Sequence, residues 1–178
     1  AETLQSLGAK TTLVSGPTSL AEPNVEQVIK VNSADQMLEA CESSLPADIA
    51  VCAAAVADYK IANKEIAKIK KDGSRQNIIL EENPDILERL SKRNHLRPKL
   101  VVGFAAETSN LERNSDEKLS KKGCDWVLGN NVSENSIFNQ DTNKIYFTSK
   151  LYSENWELMT KKEVAKKLCQ KISLHLNN

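Results

Sequence analysis

The sequence has no net charge: 24 Lys and Arg are balanced by 24 Asp and Glu among 178 residues. That balance leaves no overall field to draw in nucleic acid or an acidic membrane, so any basic character must act locally. CxxC pairs and Cys/His metal spacings are absent. Cys41, Cys52, Cys124 and Cys169 stand far apart, and Cys52 lies in an apolar run where a thiol behaves as a small hydrophobe. A reducing compartment is expected. No apolar stretch reaches the roughly 18 residues of a membrane span, and no signal-peptide pattern is visible, so a cytoplasmic location is expected. GxGxxG, GxxxxGK[ST], GxSxG and HExxH are all missing. There is no internal repeat and no low-complexity segment. His95 and His175 lie in a surface-like loop and in the tail, and neither is given a role.

What is present is an alternation of strand and helix patterns. The chain opens in what reads as the second half of a helix, AETLQSLGA, with Leu4 and Leu7 on one face and a stop at Gly8. Thr11–Ser15 is a short β-branched strand closed by Gly16-Pro17, and residues 28–31 (VIKV) form another. Ser33 can cap a helix over residues 34–43 with Met37, Leu38 and Cys41 as its apolar stripe. Residues 48–57 (DIAVCAAAVA) and 99–106 (KLVVGFAA) are continuous apolar runs, read as strands buried on both faces of a parallel sheet. Residues 77–80 (NIIL) are a short strand candidate. Asn83-Pro84-Asp85 starts a helix through Leu90, with Pro84 in its first turn.

A charged helix from about Asn110 to Lys122 stops at Gly123, before a strand at residues 125–128. The alternating NKIYFT (143–148) reads as an edge strand or hairpin arm. The tail 161–176 is an amphipathic helix with Val164, Leu168, Ile172 and Leu176 on one stripe. The whole is one domain, an α/β sandwich of the doubly wound type.

In such sheets ligands bind beyond the carboxyl ends of the strands. Three segments fit. AAAVADY delivers Asp58 and Tyr59 to a strand end, where Asp58 is equally a turn residue. Lys68-Ile69-Lys70-Lys71 with Asp72-Gly73-Ser74 is a cationic flap able to close over a polyphosphate, or else a solvated charge run. Residues 103–108 (GFAAET) pair with the helix carrying Lys118 and Lys122, four apart on one face. Phe104 either stacks on a base or packs in the core. The two lysines set aside the mutual support of a Glu/Lys pair, which hints at an anionic ligand. The residues themselves lead to an α/β protein with a nucleotide-sized anionic site.

Seven segments in order carry a resemblance: LGAKTTLVSGPTSL, AAAVADY, KIKK, NPDIL, VVGFAAET, EKLSKKGCDWVLGNNVS and the late IYF strand. Together they resemble the phosphopantothenoylcysteine synthetase (phosphopantothenate–cysteine ligase) family, usually the second half of a bifunctional bacterial flavoprotein. The resemblance implies a Rossmann-like three-layer sandwich with a mostly parallel sheet. It implies a two-step reaction in coenzyme A biosynthesis: CTP activates the carboxylate of 4′-phosphopantothenate as an acyl-cytidylate, and the cysteine amine then displaces CMP. Position by position, Lys68 matches the essential flap lysine. Cys52-Ala53-Ala54 match the backbone that reads the cytosine edge, and Asp58 matches a nucleotide contact. Pro84, Asp85, Ile86 and Leu87 match the nucleotide-binding turn. Phe104 would face the base, with Lys118 and Lys122 reaching the nucleotide. Mg²⁺ is implied by the triphosphate, without a protein ligand.

The resemblance further implies a homodimer, with a flavin-dependent decarboxylase domain or chain as a partner and no FMN chemistry here. Relatives begin with a strand and a glycine-rich SNxSSGxxG loop, so the chain is expected to be N-terminally incomplete. Asn130-Asn131 stands where many relatives carry Asn-Asp. The alternatives are a truncated, non-catalytic scaffold of the same fold and an NAD(P)-dependent reductase.

Overall fold

The computed structural model describes residues 1–63, 77–131 and 142–177. The short helix α1 (Glu2–Ser6) ends before Gly8, whose φ of 94° only glycine adopts without strain. Strands β1 (Thr12–Ser15) and β2 (Gln27–Lys30) pair in parallel. Helix α2 (Ala34–Ser43) starts at Ser33, whose Oγ accepts from the Gln36 amide at 3.2 Å. Then follow β3 (Ile49–Cys52), β4 (Tyr59–Ile61), β5 (Leu80–Glu82) and α3 (Ile86–Ser91). The long β6 (Leu100–Glu107) leads into α4 (Leu111–Lys122) and β7 (Trp126–Asn131). The chain ends with β8 (Thr142–Asn143), β9 (Ile145–Ser149), β10 (Ser153–Asn155), β11 (Met159–Thr160) and α5 (Lys161–Leu176).

Among the described residues the central sheet has five strands in the order β10-β9-β7-β6-β3. Strands β3, β6 and β7 run parallel, while β9 and β10 run antiparallel to their neighbours, so the sheet is mixed. The described residues also form three two-stranded pairs: β1–β2, β4–β5 and β8–β11.

Alternation along β6 sorts the core. Leu100 and Val102 face α5 together with Trp126, Leu128, Phe147, Trp156, Val164, Leu168 and Ile172. Val101 and Ala105 face the other side with Leu87, Leu119, Cys124 and Val127. A third cluster, Val31, Met37, Ile86 and Leu90, joins β2, α2 and α3. Helices thus cover both faces, as a doubly wound sandwich requires. A capping box at Thr160 and Glu163 starts α5. Arg97 and Asp125, paired at 2.9 Å, pin the start of β6: Asp125 accepts from the Val101 amide at 2.7 Å.

Several expectations change. The run 48–57 is a strand only over Ile49–Cys52; residues 53–57 leave the sheet and all but Val56 are exposed. Among the described residues β3 pairs with β6 alone and is half-buried, so it is not the doubly covered strand its composition suggests. The NIIL strand moves to β5, and Ile78 and Ile79 lie outside it, exposed. Helix α3 is capped by Asp85, which leaves Pro84 before the helix rather than in its first turn. Strand β9 is a hairpin arm, paired antiparallel with β10, and not an edge: it lies between β7 and β10 with Ile145, Tyr146, Phe147 and Thr148 all buried. Its polar alternates are accommodated because Thr148 Oγ1 donates to Asp116 on α4 at 2.7 Å. Leu7 and Leu176 point to solvent and drop out of their stripes. His175 is not isolated: its ring meets Trp126 edge-on at 5.2 Å.

Candidate functional site

Parallel strands deliver their carboxyl ends to one edge, and the expected site residues divide between that edge and the groove between α3 and α4. Cys52 closes β3, and Ala53 and Ala54 follow it as exposed, irregular backbone. Asp58 ends this loop, exposed, immediately before β4. The loop is held from the far strand: the Asn83 amide donates to the Asp58 carbonyl at 2.8 Å, and Asn83 Nδ2 donates to the Ala57 carbonyl at 2.9 Å.

Asp85 then caps α3, accepting from the Glu88 amide at 2.9 Å through Oδ1, and forms an ion pair through Oδ2 with Lys122. Lys122 also lies 3.7 Å from Glu88. Burial pushes the Asp85 carboxyl up. The Lys122 ammonium, the Glu88 amide and the charge of Lys118 outweigh that and hold it below its ordinary value. The Lys122 ammonium is shifted up, first by its hydrogen bond to Asp85 and against its own desolvation.

Lys118, one turn earlier on the same face, donates to the Phe104 carbonyl at 2.7 Å. Its partner is neutral, so its charge is not cancelled there. The two lysines therefore do not simply wait for an anion, as their spacing alone suggests: both are engaged by the protein. The Phe104 ring is partly buried and packs against the cluster under α5. Ile86 and Leu87 are 8% exposed and face the core, so only their backbone is available to a ligand. Leu87 fits because Gly103 lacks a side chain; a Cβ there would lie 2.6 Å from Leu87 Cδ2. Burial drives the Cys52 thiol up to about 12, which makes it inert as a nucleophile. Lys68 and the KIKK flap lie outside the described residues.

The structure thus brings Lys122 into contact with Asp85 and Lys118 into contact with the Phe104 carbonyl, with the Lys118 charge close enough to act on Asp85. It sets Cys52, Ala53, Ala54 and Asp58 beside them through Asn83. Sequence reasoning missed Asn83 and the Asp85–Lys122 pair; an Asn directly before a Pro at a helix start was the available signal. A separate cleft of about 460 Å³ is lined by Asn110, Arg113, Asn131, Lys144, Tyr146 and Asn155 among others, and none of the expected residues lines it. The lysine groove is the better candidate because its charges are partly buried and mutually organised. Among the described residues no group of three or more His, Cys, Asp or Glu is placed to hold a metal ion.

Fold and site together define an α/β protein of Rossmann-like architecture with two lysines of one helix face held beside the end of β3 and the start of α3. More particularly, residues 1–175 match the family described as DNA/pantothenate metabolism flavoprotein C-terminal domain, and the chain belongs to that family. It is 37% identical over 173 residues to the coenzyme A biosynthesis bifunctional protein CoaBC of Haemophilus influenzae, covering 97% of this chain and 43% of that protein. It is 34% identical over 177 residues to the same-named protein of Bacillus subtilis, again 97% and 43%. The chain spans less than half the length of these relatives. The crystal structure of the C-terminal domain of a CoaBC protein superposes with a TM-score of 0.78 at 32% identity, over 99% of this chain and 80% of that one. A DNA/pantothenate metabolism flavoprotein from Streptococcus pneumoniae shares the fold, with a TM-score of 0.78 at 20% identity over 98% of this chain and 85% of that one.

Proposed function

We propose that this domain is the CTP-dependent phosphopantothenate–cysteine ligase of coenzyme A biosynthesis. The observation that carries the proposal is the groove in which Lys122 is held by Asp85 and Lys118 by the Phe104 carbonyl, beside the end of β3. Two ammonium groups on one helix face, half withdrawn from water, suit a ligand with adjacent phosphates. Kinship with the CoaBC proteins supports the same reading.

In the proposed first step a carboxylate oxygen of 4′-phosphopantothenate attacks the α-phosphorus of CTP, and the bond to the β-phosphate oxygen breaks to release pyrophosphate. The cysteine amine then attacks the acyl carbon, loses its proton, and CMP leaves with the bonding pair. Neither step needs a protein nucleophile; both need charge neutralised and reactants aligned. Lys118 and Lys122 serve the phosphates, Lys68 the acyl-cytidylate step, and the backbone at Cys52, Ala53 and Ala54 the base. Asp58, Phe104 and the Pro84–Leu87 turn complete the nucleotide contacts. Mg²⁺ would travel on the phosphates, and no protein step depends on it. We place the domain in the cytoplasm as a homodimer working beside a flavin-dependent decarboxylase domain.

The test is pyrophosphate release by the full-length protein from CTP, with each substrate omitted in turn. The proposal requires release that depends on both 4′-phosphopantothenate and CTP, and amide formation that depends on cysteine. Thermal stabilisation by NADPH but not by CTP would overturn it.

A further inference from the structure

We propose that Asn83 is a positioning residue: its side-chain amide fastens the 53–58 loop to the start of α3, so that two separate nucleotide-binding segments are set as one unit. The consequence for catalysis rests on the function proposed above; the fastening itself rests on geometry alone.

The loop needs such a tie. Residues 53–58 form no helix or strand, and Ala53, Ala54, Ala55, Ala57 and Asp58 are exposed. Four of these five side chains are single methyl groups, so little apolar burial is available to fix the backbone. Beyond the pairing of Tyr59 with Glu82, the β4–β5 ladder gains one more bond, from the Asn83 amide to the Asp58 carbonyl at 2.8 Å. The next residue, Pro84, falls opposite Ala57 at a position where the alternating ladder makes no backbone bond, and it has no N–H to offer. The Asn83 side chain adds a bond that this alternation does not provide: Nδ2 donates to the Ala57 carbonyl at 2.9 Å and ties down the residue beyond Asp58.

Proline also holds the residue before it in extended backbone, which keeps Asn83 aimed along the ladder. Two residues later Asp85 caps α3 and pairs with Lys122. A three-residue stretch therefore ties the loop, the helix start and a candidate phosphate-binding lysine together. Asn is suited to this place because its amide is short enough to stay beside its own backbone and offers a donor where Asp at neutral pH offers none.

The experiment compares wild type, Asn83→Ala and Asn83→Asp in the full-length protein by hydrogen exchange and by steady-state kinetics. The residue 83 amide, which donates to the Asp58 carbonyl, should exchange about tenfold faster in both variants, the worth of one hydrogen bond, while the amides of β6 stay protected. The KM for CTP should rise about tenfold with kcat within about threefold, and the KM for cysteine should not move. A purely structural role would instead lower the melting temperature and the active fraction without that split. Unchanged exchange of the residue 83 amide in whichever variant folds overturns the proposal, as does faster exchange with an unaltered KM for CTP. If wild type releases no pyrophosphate from CTP, the proposed function fails, and the exchange data alone still decide whether Asn83 fastens the loop.

Discussion

Asp85 on the turn before α3 and Lys122 on α4 form an ion pair, and the same carboxylate caps α3. One side chain thereby ends a turn, starts a helix and fixes the position of a cation. Because Asp85 is held below its ordinary carboxyl value of 3.8, its contribution to stability is complete above that pH. It is lost as the pH falls through the lower folded-state value.

Asp85→Asn should therefore cost about 1 kcal/mol at pH 7, after discounting for the carboxylate's partial exposure, since Asn can still cap the helix. The difference from wild type should shrink below pH 3.8. Urea unfolding of both proteins between pH 3 and 7 checks this. A constant difference across that range would show that the charge contributes nothing.

Lysine substitutions separate binding from background. Lys118→Met and Lys122→Met should each raise the KM for CTP by about tenfold or more, as expected for removing a charge-assisted contact. Lys68→Gln should act mainly on kcat. Lys99→Gln, which removes an exposed pair with Asp48, should leave both constants unchanged. Equal effects of the Lys68 and Lys99 changes would remove Lys68 from the catalytic list.

Gly103→Ala tests the packing beneath the groove. The added Cβ would sit 2.6 Å from Leu87 Cδ2, so α3 must shift or Leu87 must change rotamer. The expected loss is about 1–3 kcal/mol by thermal or urea unfolding. The KM for CTP should rise as well, because Leu87 sets the start of α3.

Ser115 is 0% exposed, and its Oγ has no hydrogen-bond partner among the described residues. Ser115→Ala should therefore be neutral or stabilising by up to about 1 kcal/mol. The same hydroxyl lies 2.3 Å from where a Cβ on Gly129 would stand. Gly129→Ala should be strongly destabilising, and the double variant less so than the sum of the two. Chemical denaturation of the four proteins closes the cycle.

Much of the fold was legible. Ser33 and Gly123 marked helix ends because caps are local chemistry, settled within a turn of the chain. The β6 run was read correctly because a strand covered on both faces shows no alternation. The same reasoning failed at residues 53–57. Small apolar residues there mimic a buried strand, yet alanines bury too little area to require one. At β9 the hairpin-arm reading held and the edge reading did not, because β7 covers its other side and Asp116, distant in sequence, makes Thr148 tolerable inside.

The sequence by itself determined the helix ends at Ser33 and Gly123, the β6 run, and which lysines share a face, because all of these follow from neighbours a few residues apart. Only the tertiary structure decided that Lys122 meets Asp85, that Lys118 meets the Phe104 carbonyl, and that Asn83 holds Ala57. Those contacts join residues 14 to 37 positions apart, and they form only once burial of β6 brings α3 and α4 side by side.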